Sequence, residues 1–320
     1  MTIFKKIQID WFIPALACAI LLGKLWPDGG IATGPFSIRS LSGIGVSVIF
    51  LLYGLRLNFF TILKSMWNWK LHLLIQLSSF IIFPLFAIIL KFIIGNDGAL
   101  WQGVIFLSVM PSTVSSAAVL VSLANGNVPA ALFNSSLSSV LGIIFPPIFL
   151  SLLTGNSTAG FDAGIVFQKL AIQILLPIVV GVILNPVFGK TAIKYRRFTR
   201  YFDQTVILSI VYYSFANSFH INQFQGLTVL NIVGLVSILV LLFILINFFI
   251  YKVSAKLRQP TPDLITALFC GSTKSLVHGS TMGRLIYAGN PSLGVIILPL
   301  LIYHTLQLML STIMVNWFKK

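Results

Sequence analysis

The sequence predicts an all-α membrane protein of ten transmembrane helices, arranged as two inverted five-helix repeats with helices 4 and 9 broken. Three observations predict it: a deep shortage of charge, ten apolar runs of spanning length, and a faint repeat displaced by half the chain. Of 320 residues, 57% are hydrophobic and 8% charged, with a mean hydropathy of +0.99. Soluble domains carry roughly a quarter charged residues, so most of this chain must face lipid or other apolar helices. The remaining charge is one-sided, 21 Lys+Arg against 6 Asp+Glu, with no Glu anywhere. A pI near 10.1 can mark nucleic-acid binding. Here, however, the basic residues sit in short loops between apolar runs, the distribution that sets membrane orientation, and nucleic acid is not expected as a partner.

The apolar runs are 11–26, 41–60, 71–94, 100–123, 129–153, 167–187, 203–220, 230–251, 263–288 and 292–317. A span needs about 20 mostly apolar residues; the first run is short and the seventh polar for a span. Lys5 and Lys6 before the first run, with Ala15-Leu16-Ala17-Cys18 inside it, superficially resemble a signal peptide. The run continues past this point to Trp26, which predicts a first span. The period-2 alternation of barrel strands is absent. Counted over alternate loops, Lys+Arg number 15 on one face and 5 on the other, with Lys274 left inside a span. That asymmetry predicts a multi-pass protein of the plasma or inner membrane with both termini cytoplasmic. The two cysteines, Cys18 and Cys270, lie in apolar runs, where a disulfide framework is not expected.

The repeat divides the chain at 1–160 and 161–320. Span 4 reads Pro111-Ser112-Thr113-Val114-Ser115, followed by Ala124-Asn125-Gly126-Asn127. Span 9 reads Gly271-Ser272-Thr273-Lys274-Ser275, followed by Tyr287-Ala288-Gly289-Asn290. Ser112 and Ser272 are 160 residues apart, and Pro14 and Pro177 in spans 1 and 6 are 163 apart. An odd number of spans per half forces the second copy through the bilayer upside down, the arrangement of alternating-access secondary transporters.

The chemistry concentrates in spans 4 and 9. Pro111 removes a backbone donor in the middle of span 4 and disfavours helix before it; Ser112, Thr113, Ser115 and Ser116 follow at once. Gly271 and Gly279 flank Ser272, Thr273, Lys274, Ser275 and His278 in span 9. Broken helices near the midplane expose half-helix ends that bind ions and anionic substrates. A Pro kink whose hydroxyls bond back to the helix is the alternative. Lys274 is too deep to snorkel, and an unpaired charge there costs at least ~3 kcal/mol. All six acids, Asp10, Asp28, Asp97, Asp162, Asp203 and Asp263, lie in loops or at span ends. Three resolutions stand: deprotonation by desolvation, coordination of the ammonium by hydroxyls and carbonyls, or contact with an anionic substrate. His278 lies one turn after Lys274; Gln76 and His304 are further polar groups in spans. Arg56 reads as an interfacial anchor, and Lys194, Arg196, Arg197 and Arg200 as a topogenic loop. His-Glu-x-x-His, Gly-x-Ser-x-Gly, a P-loop and a pair of intramembrane acids are all missing, so neither an enzyme nor an ATP-driven pump is expected.

The stretches Phe50-Leu51-Leu52-Tyr53-Gly54-Leu55-Arg56-Leu57, Pro111 to Ser116, Asn125-Gly126-Asn127-Val128 and Cys270-Gly271-Ser272-Thr273-Lys274-Ser275-Leu276 resemble the bile acid:sodium symporter superfamily. The likeness is to its SBF-like branch, which includes bacterial proteins and the divergent seventh member of the vertebrate bile-acid carriers. The resemblance implies that helices 4 and 9 cross at the centre, and that a panel domain (spans 1, 2, 6, 7) moves against a core domain (spans 3–5, 8–10). It implies a small organic anion as substrate and places Ser116 and Ser135 at hydroxyl positions of a sodium site. It also exposes departures: Ala117 stands where Asn is expected, Cys270 where Glu is, and Lys274 where Gln is. The Lys274 ammonium would then take the space of one sodium ion; alternatively Lys274 titrates and couples transport to protons. No cofactor is implied beyond a coupling Na+ or H+. A second reading is a non-transporting membrane regulator, for example of calcium entry.

Overall fold

A computed structural model of the chain describes residues 11–56, 68–94, 98–113, 115–154, 168–169, 171–225 and 227–318. Lys5 and Lys6, the stretch 57–67, Val114, and the boundary near residue 160 lie outside the described residues. Among those described, every regular element is helical. In chain order they are α1 (Phe12–Leu25), α2 (Pro27–Ile31), α3 (Ile38–Arg56) and α4 (Trp69–Leu77). A π-helical turn, Ser78–Ile82, carries α4 into α5 (Phe83–Ile94), followed by α6 (Ala99–Ser108), α7 (Ser115–Leu123) and α8 (Val128–Thr154). A second π-helical turn, Ala171–Leu175, opens α9 (Leu176–Lys194); then come α10 (Arg196–His220), α11 (Val229–Lys256), α12 (Thr261–Ser272), α13 (Leu276–Ile286) and α14 (Leu293–Phe318).

Six of these continuous segments are long and apolar enough to cross a membrane: 38–56, 69–94, 128–150, 171–194, 229–256 and 293–318. The chain is therefore a multi-pass integral membrane protein. The packing of α11 shows how apolar surface is divided. Leu235, Leu239, Leu242, Ile246 and Ile250 are buried at helical spacing, whereas Leu230, Val233, Leu241, Ile244 and Phe248 are exposed. A helix that is apolar on all sides, with one face packed and the other open, presents the open face to lipid.

The helices depart from the expected spans in one informative place. Residues 188–202 read as a basic loop, but α9 runs to Lys194 and α10 starts at Arg196, with Tyr195 between them. Lys and Arg are good helix formers, so positive charge marks the end of the apolar segment without ending the helix. Arg56 is likewise more than an anchor. Its Nε donates to Leu52 O (3.0 Å), its Nη1 donates to Thr199 Oγ1 (3.1 Å), and its Nη2 lies 3.7 Å from Asp203. It braces α3 against the start of α10.

Packing pairs α3 with α9 and α10, α1 with α10, α6 with α14, and α12 with α11, α4 and α8. The α3–α9 crossing is glycine on glycine: a Cβ on Gly181 would lie 2.9 Å from Gly54 Cα. Small residues allow such close approach in membranes, where packing replaces the hydrophobic effect. Gly181→Leu is expected to push α3 and α9 apart and to lower the midpoint of thermal unfolding by roughly 5 °C or more, corresponding to the 1–3 kcal/mol of overpacking. An unchanged midpoint for purified protein would place the crossing elsewhere. At the start of α12, buried Asp263 accepts from Asn68 Nδ2 (2.6 Å) and Asn127 Nδ2 (2.8 Å). The Asn125-Gly126-Asn127 turn, with Asn125 at φ +60°, is thereby tied to α12.

Candidate functional site at the two helix breaks

The first break follows from Pro111. Helix α6 ends at Ser108, and α7 starts at Ser115. In a continuous helix Ser112 N–H would return to Ser108 O; here it donates to Ser138 Oγ of α8 (2.9 Å). The Pro111 ring seats against Gly142, where a Cβ would lie 2.6 Å from Pro111 Cγ. One face of α8 (Ser138, Gly142) thus accommodates the break, and the carbonyls of Ser108 and Met110 are left facing inward.

The second break is the extended stretch Thr273–Ser275, with φ/ψ of −81°/146° at Thr273 and −82°/117° at Ser275. The two breaks meet backbone to backbone: Ser275 N–H donates to Pro111 O (2.8 Å). They also meet side chain to side chain. Thr273 Oγ1 gives its proton to Phe269 O (2.8 Å), so Ser112 Oγ donates to Thr273 Oγ1 (3.0 Å). Between them, Gln307 of α14 takes the place of the missing helix partners. Its Oε1 accepts from Lys274 N–H (2.7 Å) and its Nε2 donates to Lys274 O (2.9 Å).

Lys274 itself is fully buried. Its Nζ donates to Ser79 O (2.7 Å), Ser108 O (2.7 Å) and Met110 O (2.9 Å), with Ser79 Oγ at 3.3 Å. The Phe83 ring centroid lies 4.4 Å away. Ser79 lies in the π-helical turn, and such turns recur where a helix is adapted for function. Three carbonyl acceptors match the three hydrogens of an ammonium, whereas a neutral amine has two; the aromatic face favours the cation as well. Of the three resolutions for a carboxylate-free lysine, the geometry is that of coordination by carbonyls and a hydroxyl.

The other expected residues fall into two groups. Ser272 Oγ returns to Leu268 O (2.6 Å), and its carbonyl accepts from Tyr303 OH (2.7 Å), so it serves the helix end. Ser116 Oγ donates to Thr113 Oγ1 (2.6 Å), which also accepts from Ala117 N–H (3.1 Å), capping α7; Ser115 opens that helix. Gln76 bonds Asn134 of α8, which also contacts His72, and His304 pairs with Gln307. These residues are engaged in structure, with Gln76 Oε1 left buried and unpartnered among the described residues.

The second group has unused polar atoms. His278 shares its Nδ1 with Ser275 Oγ (3.0 Å), while its buried Nε2 has no hydrogen-bond partner among the described residues. Phe50 and Tyr53 of α3 stand edge-on to its ring, at 5.1 and 6.4 Å between centroids. The Tyr53 hydroxyl faces Ser136 and Ser139 of α8 without reaching bonding geometry. Thr281 Oγ1, three residues after His278, is also unpartnered. Ser135 Oγ lies beside the Cys270 thiol, again without an oxygen or nitrogen partner. Buried polar atoms are almost always paired, so these groups have unmet bonding capacity. Sequence reading singled out His278 and Ser135 but missed Tyr53, Thr281, Gln307, and the carbonyl acceptors of Ser79, Ser108 and Met110. Gln307 carried a visible signal, an amide inside an apolar span. Carbonyls carry none.

Among known proteins, the chain is 31% identical over 313 residues to the Pseudomonas aeruginosa protein PA2026, covering 97% of this chain and 93% of that one. It is 30% identical to the Escherichia coli (strain K12) protein YfeH, covering 98% and 93%. It is 31% identical to sodium/bile acid cotransporter 7 of Rattus norvegicus, covering 100% of this chain and 95% of that one. The latter two are named as a symporter and a cotransporter, and no enzyme is implied. The SBF-like CPA transporter family profile matches residues 10–320, and with these full-length relatives it shows that the chain belongs to that family.

Proposed function

We propose that this secondary transporter carries a small organic anion by alternating access, with the substrate recognised beside the joined helix breaks. The single observation that carries the reading is the bond between the breaks, Ser275 N–H to Pro111 O, closed around the enclosed Lys274 Nζ. A transporter needs central polar groups that change partners as the halves rock. Here the Lys274 seat is filled, and the groups with spare capacity include His278, Tyr53, Thr281 and Ser135. His278 and Tyr53 meet where α3 faces α8 and α13, and the pairing of α1, α3, α9 and α10 supports grouping those four helices as a panel. In this reading the chain has ten spans in two inverted repeats, 1–160 and 161–320, with both termini in the cytoplasm of a plasma or inner membrane. The organic anion follows from the bile-acid relatives and from the absence of acids in the central cluster. Sodium, where it couples, binds near Ser116 and Ser135, the hydroxyl positions that the family resemblance assigns to it.

Uptake of labelled organic anions, a bile acid among them, into proteoliposomes tests this directly. Saturable uptake is expected, reduced roughly tenfold by His278→Ala, the loss of one hydrogen bond to a charged ligand. Absence of flux for every anion, alongside a partner retained through purification, would instead support the regulator of calcium entry.

A further inference from the structure

We propose a second anion site at the end of the molecule opposite the basic loops, built around Arg39 and Arg284 and distinct from the helix-break centre. A cavity of about 460 Å³ opens there, lined by Thr33, Ser37, Arg39, Tyr213, Asn217 and Asn290. Its position follows from helix direction. Arg39 lies in the first turn of α3 and Asn217 in the last turn of α10, whereas Arg56 and Thr199 meet at the other ends of the same two helices. The volume is in the range of small-molecule pockets.

The charge at this cavity is positive and uncompensated. Arg284, which stands behind the cavity wall, donates from Nη2 to the main-chain oxygen of Arg39 (2.7 Å), and its Nη1 is buried without a hydrogen-bond partner among the described residues. The guanidinium passes over Gly43, where a Cβ would lie 2.5 Å from Nη2, so α3 leaves room for it. The Tyr213 hydroxyl lies beside it from α10. Among the described residues neither arginine has a carboxylate within ion-pair distance, and no acid lines the cavity. Arg39 on the cavity wall, with Arg284 bonded to its main chain and hydroxyl and amide groups around it, matches an oxyanion; guanidinium recognises carboxylate, sulfate and phosphate through paired N–H donors. The ligand is therefore a small oxyanion, either free or presented by a lipid headgroup.

The test uses the full chain in phosphatidylcholine nanodiscs titrated with inorganic sulfate at low ionic strength. Saturable binding is expected, weakened at least tenfold in Arg39→Gln, whose side chain is exposed and whose loss leaves the packing intact. Arg284→Gln should weaken it as well. Competition by added phosphatidylglycerol identifies the headgroup as the source, and its absence identifies a free anion; either supports the site. No saturable binding, or equal affinity in wild type and Arg39→Gln, overturns it. The readout is sulfate binding and does not depend on transport.

Discussion

Lys274→Met is expected to be among the most damaging single substitutions in this protein. The thioether fills similar volume but brings no donor, so the carbonyls of Ser79, Ser108 and Met110 lose their shared partner. Each buried acceptor left unpaired costs roughly 1–3 kcal/mol, and together they approach the upper end of single-residue effects. Replacing an entire buried ion pair by apolar groups can be harmless. Here only the cation is removed, and the acceptors are backbone atoms that cannot be mutated away. Lys274→Ala should also unfold at lower temperature, but it vacates the volume of a propylammonium ion. Added n-propylammonium should restore part of its stability, and n-propanol, equal in length but uncharged, should not. Equal melting of Lys274→Met and wild type would mean that the ammonium contributes nothing.

The second large effect is expected at Gln307. Its amide pairs with both backbone groups of Lys274, at 2.7 and 2.9 Å. No water is available in the bilayer core to replace them. Gln307→Leu should therefore cost roughly 2–6 kcal/mol, the sum of two unsatisfied groups, seen as a lower unfolding temperature in detergent. Gln307→Glu as a carboxylate keeps the acceptor for Lys274 N–H and loses the donor for Lys274 O, so its stability should fall between wild type and Leu. A Leu variant as stable as the wild type would show that the extended stretch Thr273–Ser275 does not depend on α14.

Much of this architecture was legible in the sequence because apolar run length, Pro111 and the Gly271–Lys274 stretch are local signals. Each of the ten apolar runs contains helix among the described residues, and both breaks occur where Pro111 and the span 9 polar patch placed them. Membership in the family was legible for the same reason, through contiguous motifs. The partners of Lys274 were not. They are backbone carbonyls from a π-helical turn and a broken helix end, exposed by geometry and carrying no residue signature. The Arg39–Arg284 pairing was equally hidden, since it joins positions 245 residues apart through a main-chain oxygen. Charge was misleading at 188–202, where basic residues mark the membrane edge yet remain helical.

We propose that Lys274 is a cation covalently supplied to a carbonyl seat at the joined breaks. Equilibrium binding of radiolabelled sodium to purified wild type and Lys274→Ala tests this most directly. The vacated carbonyls should accept a free cation, so the variant should bind one more sodium ion per chain than the wild type. n-Propylammonium should displace that extra ion. Equal sodium stoichiometry in the two proteins, with Lys274→Ala folded, would contradict the account.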